Sequence, residues 1–309
     1  MNTQKSMMDF DQPMDYTELM EYLNVISERY PFVGITGLGE TIMGRTIPCI
    51  TVGEGERSVL YVGGESATEW ITSVLLLRFL NEFCELYQND GKAFHYSIQY
   101  LFSTRTLYII PMLNPDGIEY QIHGVGKEHI LYDRLLSMNG GGEDFRTWQA
   151  NARGVDLTYN YPCEHFISHK ARESEDGICN GAPYGFGGQM PESEPEVGAL
   201  CNFVRYHQNI NAVVTLHTAG EKIFYTNGRK KAPRSETIGR TLSRVSGLSL
   251  VPPEESGERC GLTAWCMEEL NIPAFLMSCS KSAHPLFIGD WFRIYMRVRE
   301  SLFMMPSLI

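Results

Sequence analysis

Ser58-Val59-Leu60-Tyr61-Val62-Gly63-Gly64-Glu65-Ser66-Ala67-Thr68-Glu69 is the stretch on which the reading of this chain turns. Its first seven residues (SVLYVGG) are an apolar run ending in glycines, the pattern of a buried strand feeding a tight turn. Glu69-Trp70-Ile71 then opens a strongly apolar segment, and residues 74–80 read as a buried helix. A strand–turn–helix junction puts the turn at the strand's carboxyl end, where open α/β sheets carry ligands. A second β-rich run, residues 212–216 (AVVTL), ends at His217. Glu69 and His217 can therefore converge on one point from the ends of two central strands. Taken singly, each is more simply a satisfied polar residue at a strand end.

The remaining segments extend the α/β pattern. Asp15 followed by Glu18 resembles a capping box, and Leu19, Tyr22, Leu23 and Ile26 repeat at helical spacing up to Tyr30-Pro31. Residues 47–52, 58–62 and 105–112 read as strands, with Pro48 placing the first at a strand start or a sheet edge. Asn114-Pro115-Asp116-Gly117 is a turn signature, and residues 153–157 a short strand entry. Ser193 with Glu196 reads as a second capping box, with Pro195 in the first helical turn. Helices are expected at 194–207, 235–246, 262–270 and 290–303. Residues 123–142 read as a long loop with a helical piece, and 163–190 as a long irregular stretch. The alternation predicts one α/β domain over residues 15–309, a mixed, mostly parallel twisted sheet with helices on both faces, after a loose lead-in at 1–14.

Six ordered stretches carry a resemblance: YVGGESATEWIT, PMLNPDGIEY, WQANARGVDLTYNYP, PESEPE, TLHTAGEKIFY and IPAFLMSCSKSAHPL. Together they resemble successive landmarks of the zinc carboxypeptidase family, the M14 peptidases, above all its bacterial branch that trims cell-wall peptides. The similarity runs from about residue 16 to 309. It implies a zinc-carboxypeptidase-like fold and a peptide, a cell-wall fragment or a protein partner as ligand.

The family pattern implies zinc held by a His-x-x-Glu pair and a distant His. Here the pair is Ser66-Ala67-Thr68-Glu69 and the distant ligand is His217, so two metal ligands remain and Ser66 stands at the third. A serine hydroxyl is a poor zinc ligand. The family's general base is a Glu where this chain has Ser278, and a serine hydroxyl has no comparable basicity at neutral pH. The Asn-Arg pair that holds a terminal carboxylate is replaced within Thr158-Tyr159-Asn160, which removes the bidentate guanidinium. Gln149 stands where a basic residue assists the oxyanion, with Arg153 near enough in sequence to cover part of that role. A zinc cofactor is thus expected from the family, and expected to be weak or absent here. The favoured reading is an inactive member whose former cleft binds a ligand through Thr158, Tyr159, Asn160 and Arg153. The alternative is an active metal-dependent carboxypeptidase or amidase with an altered zinc site.

Substitutes for the missing groups deserve weighing. Glu65 shares a helical face with Glu69 if the helix starts early, which would create a Glu-Glu-His site. The plainer reading of Glu65 is a solvated turn residue. Cys279 adjoins the base position but points to the opposite strand face from Ser278, and His284 reads as a surface loop residue. A serine hydrolase built from Ser66, Ser278 and His217, with Asp116 or Glu69 as the acid, lacks a Gly-x-Ser-x-Gly elbow, and small polar filling is the better account of the serines.

Composition fits this picture. The chain has 309 residues, 43% of them hydrophobic, spread in short runs with no stretch long enough for a membrane span. A net charge of −11 argues against a general nucleic-acid role. The first residues show no basic region followed by an apolar core. The eight cysteines, at 49, 84, 163, 179, 201, 260, 266 and 279, are scattered. A cytoplasmic location with free thiols is therefore the expectation.

Overall fold

A computed structural model describes residues 10–175, 178, 180–228, 230–257, 260–281 and 285–309. Eight strands form one sheet. From one edge they run Gly34–Glu40, Thr46–Val52, Arg105–Ile110, Arg57–Val62, Ile210–Ala219, Ala274–Ser280, Lys222–Phe224 and Ser249–Leu250. The central strands Arg105–Ile110, Arg57–Val62, Ile210–Ala219 and Ala274–Ser280 are mutually parallel, and antiparallel pairs flank them.

Side chains alternate across the sheet and divide the core in two. Val59, Tyr61, Val214, Leu216, Phe275 and Met277 face one layer, which includes the buried stripe of helix Ile71–Gln88 and of helix Trp291–Met304. Leu60, Val62, Val213 and Ala274 face the other, against Val197 and Leu200 of helix Pro195–Tyr206 and Trp265 and Cys266 of helix Leu262–Glu269. The expected mixed, mostly parallel sheet with helices on both faces is what forms.

Several local expectations change. Asn114-Pro115-Asp116-Gly117 begins helix Pro115–His123 rather than a turn, with the Asn114 side chain capping the Gly117 N–H at 3.0 Å. Residues 153–157 lead into the short 3-10 helix Leu157–Tyr159, not a strand. At helix Pro195–Tyr206 the cap is Glu194 without a side-chain hydrogen bond. Ser193 Oγ is drawn off to Glu194 and Asn160, so its box does not form. At Asp15 the cap does form, accepting from the Glu18 N–H. Pro48 lies in a strand with neighbours on both sides, but the ladder to Arg105–Ile110 covers only residues 50–52, so its missing N–H costs no rung there. Strand Gly34–Glu40 and helix Phe166–Glu175 lie in stretches where glycines and charges hid them. The lead-in is docked from Phe10 onward, with Phe10 edge-on to Trp291 and Met14 buried.

Not all thiols are free. Cys163 and Cys260 form a disulfide, while Cys49, Cys84, Cys201, Cys266 and Cys279 are free and buried. The two bonded residues are 97 positions apart, and only the fold brings their Cα atoms to 5.8 Å. Cys179 lies outside the described residues.

Candidate functional site

The site lies where the sheet changes direction of growth. After Arg57–Val62 the chain adds Arg105–Ile110 on one side and Ile210–Ala219 on the other. The carboxyl ends of strands at such a switch point flank a natural crevice. The turn after Val62 is fastened there by backbone. The Leu113 and Asn114 N–H groups donate to the Gly63 and Gly64 carbonyls, and the Ala67 N–H donates to the Gln149 carbonyl at 3.0 Å. Gly64 has a φ of +59°, and a Cβ on it would lie 2.9 Å from Met112 Cα, so only glycine fits. Thr72 Oγ1 accepts from the Gly64 N–H and donates to the Glu69 carbonyl, both at 2.8 Å. Glu65, Ser66 and Glu69 are thereby held at the strand's end, in a turn followed directly by helix Ile71–Gln88.

His217 sits between two carboxylates. Its Nδ1 is 2.7 Å from Glu69 Oε2, and its Nε2 is 3.4 Å from Glu65 Oε2. Glu69 Oε1 accepts from both the N–H and the hydroxyl of Thr218, each at 2.8 Å. Glu65 Oε1 accepts from the Tyr161 hydroxyl at 2.6 Å. Glu65 is 4% exposed, which overturns its reading as a solvated turn residue. Burial raises the Glu69 carboxyl, but the His217 charge and the hydrogen bonds from His217 and Thr218 outweigh it and hold Glu69 below the usual range. Burial likewise disfavours the imidazolium, yet Glu69 and Glu65 outweigh it and push His217 up to about 10.

The residues for zinc are incomplete in this arrangement. Two ligand atoms on one tetrahedral zinc stand about 3.3 Å apart, from bond lengths of roughly 2.0–2.1 Å. The 2.7 Å between Glu69 Oε2 and His217 Nδ1 is a hydrogen-bond distance. Glu65 addresses the other ring nitrogen, and one ion does not reach both edges of one imidazole. Ser66 Oγ is 3.2 Å from Thr68 Oγ1. The described residues thus offer a Glu and a His to a metal and no third strong ligand beside them.

The other sequence-derived positions fall as follows. Ser278 is buried and pairs in register with His217 across the parallel strands. Cys279 belongs to the opposite core layer with Phe275 and Met277, as strand alternation required. Thr158 is turned inward, its hydroxyl donating to Asp156 at 2.6 Å. The Tyr159 ring stacks on His169 of helix Phe166–Glu175, with centroids 4.0 Å apart. Asn160 is fully buried and structural. It donates to Gly187 O, Met190 O and Ser193 Oγ and accepts from the Glu194 N–H. Arg153 turns toward Glu194 at 3.9 Å, and Gln149 is half-buried. Asp116 accepts from Arg45 at 2.7 Å and from the Met43 N–H, which takes it out of any triad. With both ring nitrogens of His217 facing carboxylates, His217 is not left to activate Ser66 or Ser278. His284 lies outside the described residues. Tyr161 was missed by sequence reasoning, and the only available signal was its place in the TYNYP stretch of the landmark series.

The family model described as zinc carboxypeptidase matches residues 19–255, and the chain belongs to that family. It is similar to gamma-D-glutamyl-L-diamino acid endopeptidase 1 of Lysinibacillus sphaericus, 28% identical over 284 residues, spanning 92% of this chain and 70% of the relative. It is also similar to carboxypeptidase B2 of Bos taurus, 25% identical over 238 residues, 74% of this chain and 51% of the relative. Among solved structures, thrombin-activatable fibrinolysis inhibitor superposes with a TM-score of 0.75 at 19% identity, covering 99% of this chain and 77% of that one. Murein-tripeptide amidase from Escherichia coli O157 gives a TM-score of 0.53 at 20% identity, covering 87% and 91%. These structures share the fold. No described helix is long and apolar enough to cross a membrane.

Proposed function

We propose that this zinc-carboxypeptidase family member has lost peptidase chemistry and uses the former cleft to bind a peptide of the cell-wall type. The observation that carries this is the residue at the third ligand position, Ser66, whose hydroxyl lies against Thr68 Oγ1 and is a poor zinc ligand beside Glu69 and His217. Two further features support it. Ser278, beside His217 in the sheet, has no basicity to offer at the general-base position. At the positions of the carboxylate clamp, Thr158 is bonded to Asp156 and Tyr159 is stacked on His169, so neither presents a cation to a chain terminus. A cell-wall peptide is the favoured ligand because the relatives in hand include a gamma-D-glutamyl-L-diamino acid endopeptidase.

The test has two arms. Protein purified without chelator and dialysed is assayed for bound zinc and for release of C-terminal residues from peptides. Binding of amidated and free-acid muropeptide stems is then compared by calorimetry. Sub-stoichiometric zinc, no turnover, and binding that tolerates the amide are expected. Stoichiometric zinc with metal-dependent hydrolysis would sink the proposal, as would a clear preference for the free acid.

A further inference from the structure

The Cys163–Cys260 bond joins the loop that carries Tyr161 to the loop that leads into helix Leu262–Glu269. Cys163 stands at the root of the long segment that carries helix Phe166–Glu175, and the Cys163 N–H donates to the Tyr161 carbonyl at 2.9 Å. Tyr161 in turn donates its hydroxyl to Glu65, the acid facing His217. On the other side, Cys260 and Gly261 lead into helix Leu262–Glu269, whose Trp265 and Cys266 pack in the same core layer as Tyr161. Cys260 Sγ lies 3.6 Å from the Tyr159 carbonyl and 3.5 Å from that of Tyr161. A Cβ on Gly261 would stand 3.2 Å from the Thr158 carbonyl, so the two loops already touch. Phe166 and Ala264 close the contact around the sulfurs.

We propose that this disulfide is a redox-controlled strap beside the Glu65–His217 cluster, holding the 158–163 loop against the 260–262 loop when oxidised and loosening both when reduced. A dithiol reductant attacks one sulfur, forms a mixed disulfide and leaves as its own cyclic disulfide, delivering two electrons and two protons to Cys163 and Cys260. The exchange is confined to this pair among the described cysteines. Cys260 is only partly buried, whereas the free thiols are buried, and burial pushes those of Cys49, Cys84, Cys201, Cys266 and Cys279 up. Reduction removes the covalent link and leaves the loop contacts to hold Tyr161 on Glu65. The strap needs no assumption about the ligand or about catalysis.

Hydrogen–deuterium exchange on the whole chain, with and without dithiothreitol under native conditions, tests this. Peptides spanning 157–166 and 260–266 should exchange at least about tenfold faster after reduction, while those of strands Arg57–Val62 and Ile210–Ala219 stay unchanged. The Cys163→Ser/Cys260→Ser variant should reproduce the reduced pattern without reductant. Should the variant fail to fold, the reduction experiment on the natural chain decides alone. Unchanged loops would overturn the proposal. So would protection lost evenly through the sheet, which would make the bond a general staple, or both cysteines reacting with iodoacetamide before reduction.

Discussion

His217→Gln tests the closed arrangement directly through its pH signature. In the natural chain His217 is pushed up to about 10 from an ordinary 6.5. The difference of about 3.5 units corresponds to roughly 4–5 kcal/mol as an upper value, at about 1.4 kcal/mol per unit. The folded value lies above the unfolded one, so the folded state holds a proton that the unfolded chain has lost between those limits. The contribution is complete below about pH 6.5, falls by up to about 1.4 kcal/mol per unit and is gone above about pH 10. Urea unfolding of both proteins from pH 6 to 10.5 measures it. Subtracting the two stability curves removes the titrating groups that His217 does not touch and leaves the His217–Glu69–Glu65 cluster as one coupled unit. The natural chain's advantage should be largest near pH 6 and shrink toward pH 10. A difference that stays flat across that range would refute the account of an imidazolium clamped by Glu65 and Glu69.

Other perturbations follow from the same contacts. Ser66→His should raise zinc affinity by at least about tenfold in competition titrations, because it adds a third strong ligand to the Glu69–His217 pair, and adding Glu65→Gln to that variant should lower it again by roughly 10–100-fold. Burial pushes Glu196 up to about 8 from 4.5, so the folded chain keeps a proton there and stability falls as pH rises from about 4.5 to 8. Glu196→Gln should match the natural chain in urea at pH 5 and exceed it by roughly 1–3 kcal/mol at pH 9, and an unaltered slope would contradict this. Asn160→Ala should cost about 3 kcal/mol or more in urea, since it takes the side-chain partner from the Glu194 N–H and from the Gly187 and Met190 carbonyls. Leu76→Ala, in the buried helix under the site, should cost about 2–5 kcal/mol.

Much of the frame was legible because its signals are local. The apolar run ending in Gly63-Gly64, the AVVTL strand before His217 and the Asp15 cap each depend on neighbours a few residues away. Helix Ser235–Ser246 was found at its observed bounds for the same reason: an amphipathic period bounded by proline before and glycine after. Features that depend on distant partners were hidden. Glu65 looked solvated until Tyr161 and His217 were brought to it from far along the chain. Cys163 and Cys260 carry no spacing motif, and their pairing is a product of the tertiary fold. Asn160 and Thr158 sat at ligand-binding positions by resemblance, yet their side chains are consumed by local hydrogen bonds that spacing does not reveal.

Glu65 also explains why an incomplete site has kept its shape. In zinc proteins a ligating histidine is oriented by a carboxylate or carbonyl on its other ring nitrogen. Glu65 occupies that place on His217, and Tyr161 steadies Glu65 in turn. Glu69 is steadied on its far oxygen by Thr218. Glu65, Glu69 and His217 therefore each have a second partner. Removing the third ligand leaves Glu69 and His217 free to close on one another without disturbing those supports, and the resulting charge pair satisfies both in a buried setting. The arrangement is stable as a polar cluster in its own right. On the proposed reading, Ser66 is the one ligand position this cluster leaves unfilled, while catalysis would still need a base at Ser278. Metal binding and hydrolysis should consequently be recoverable in separate steps, the first by Ser66→His and the second only with Ser278→Glu added.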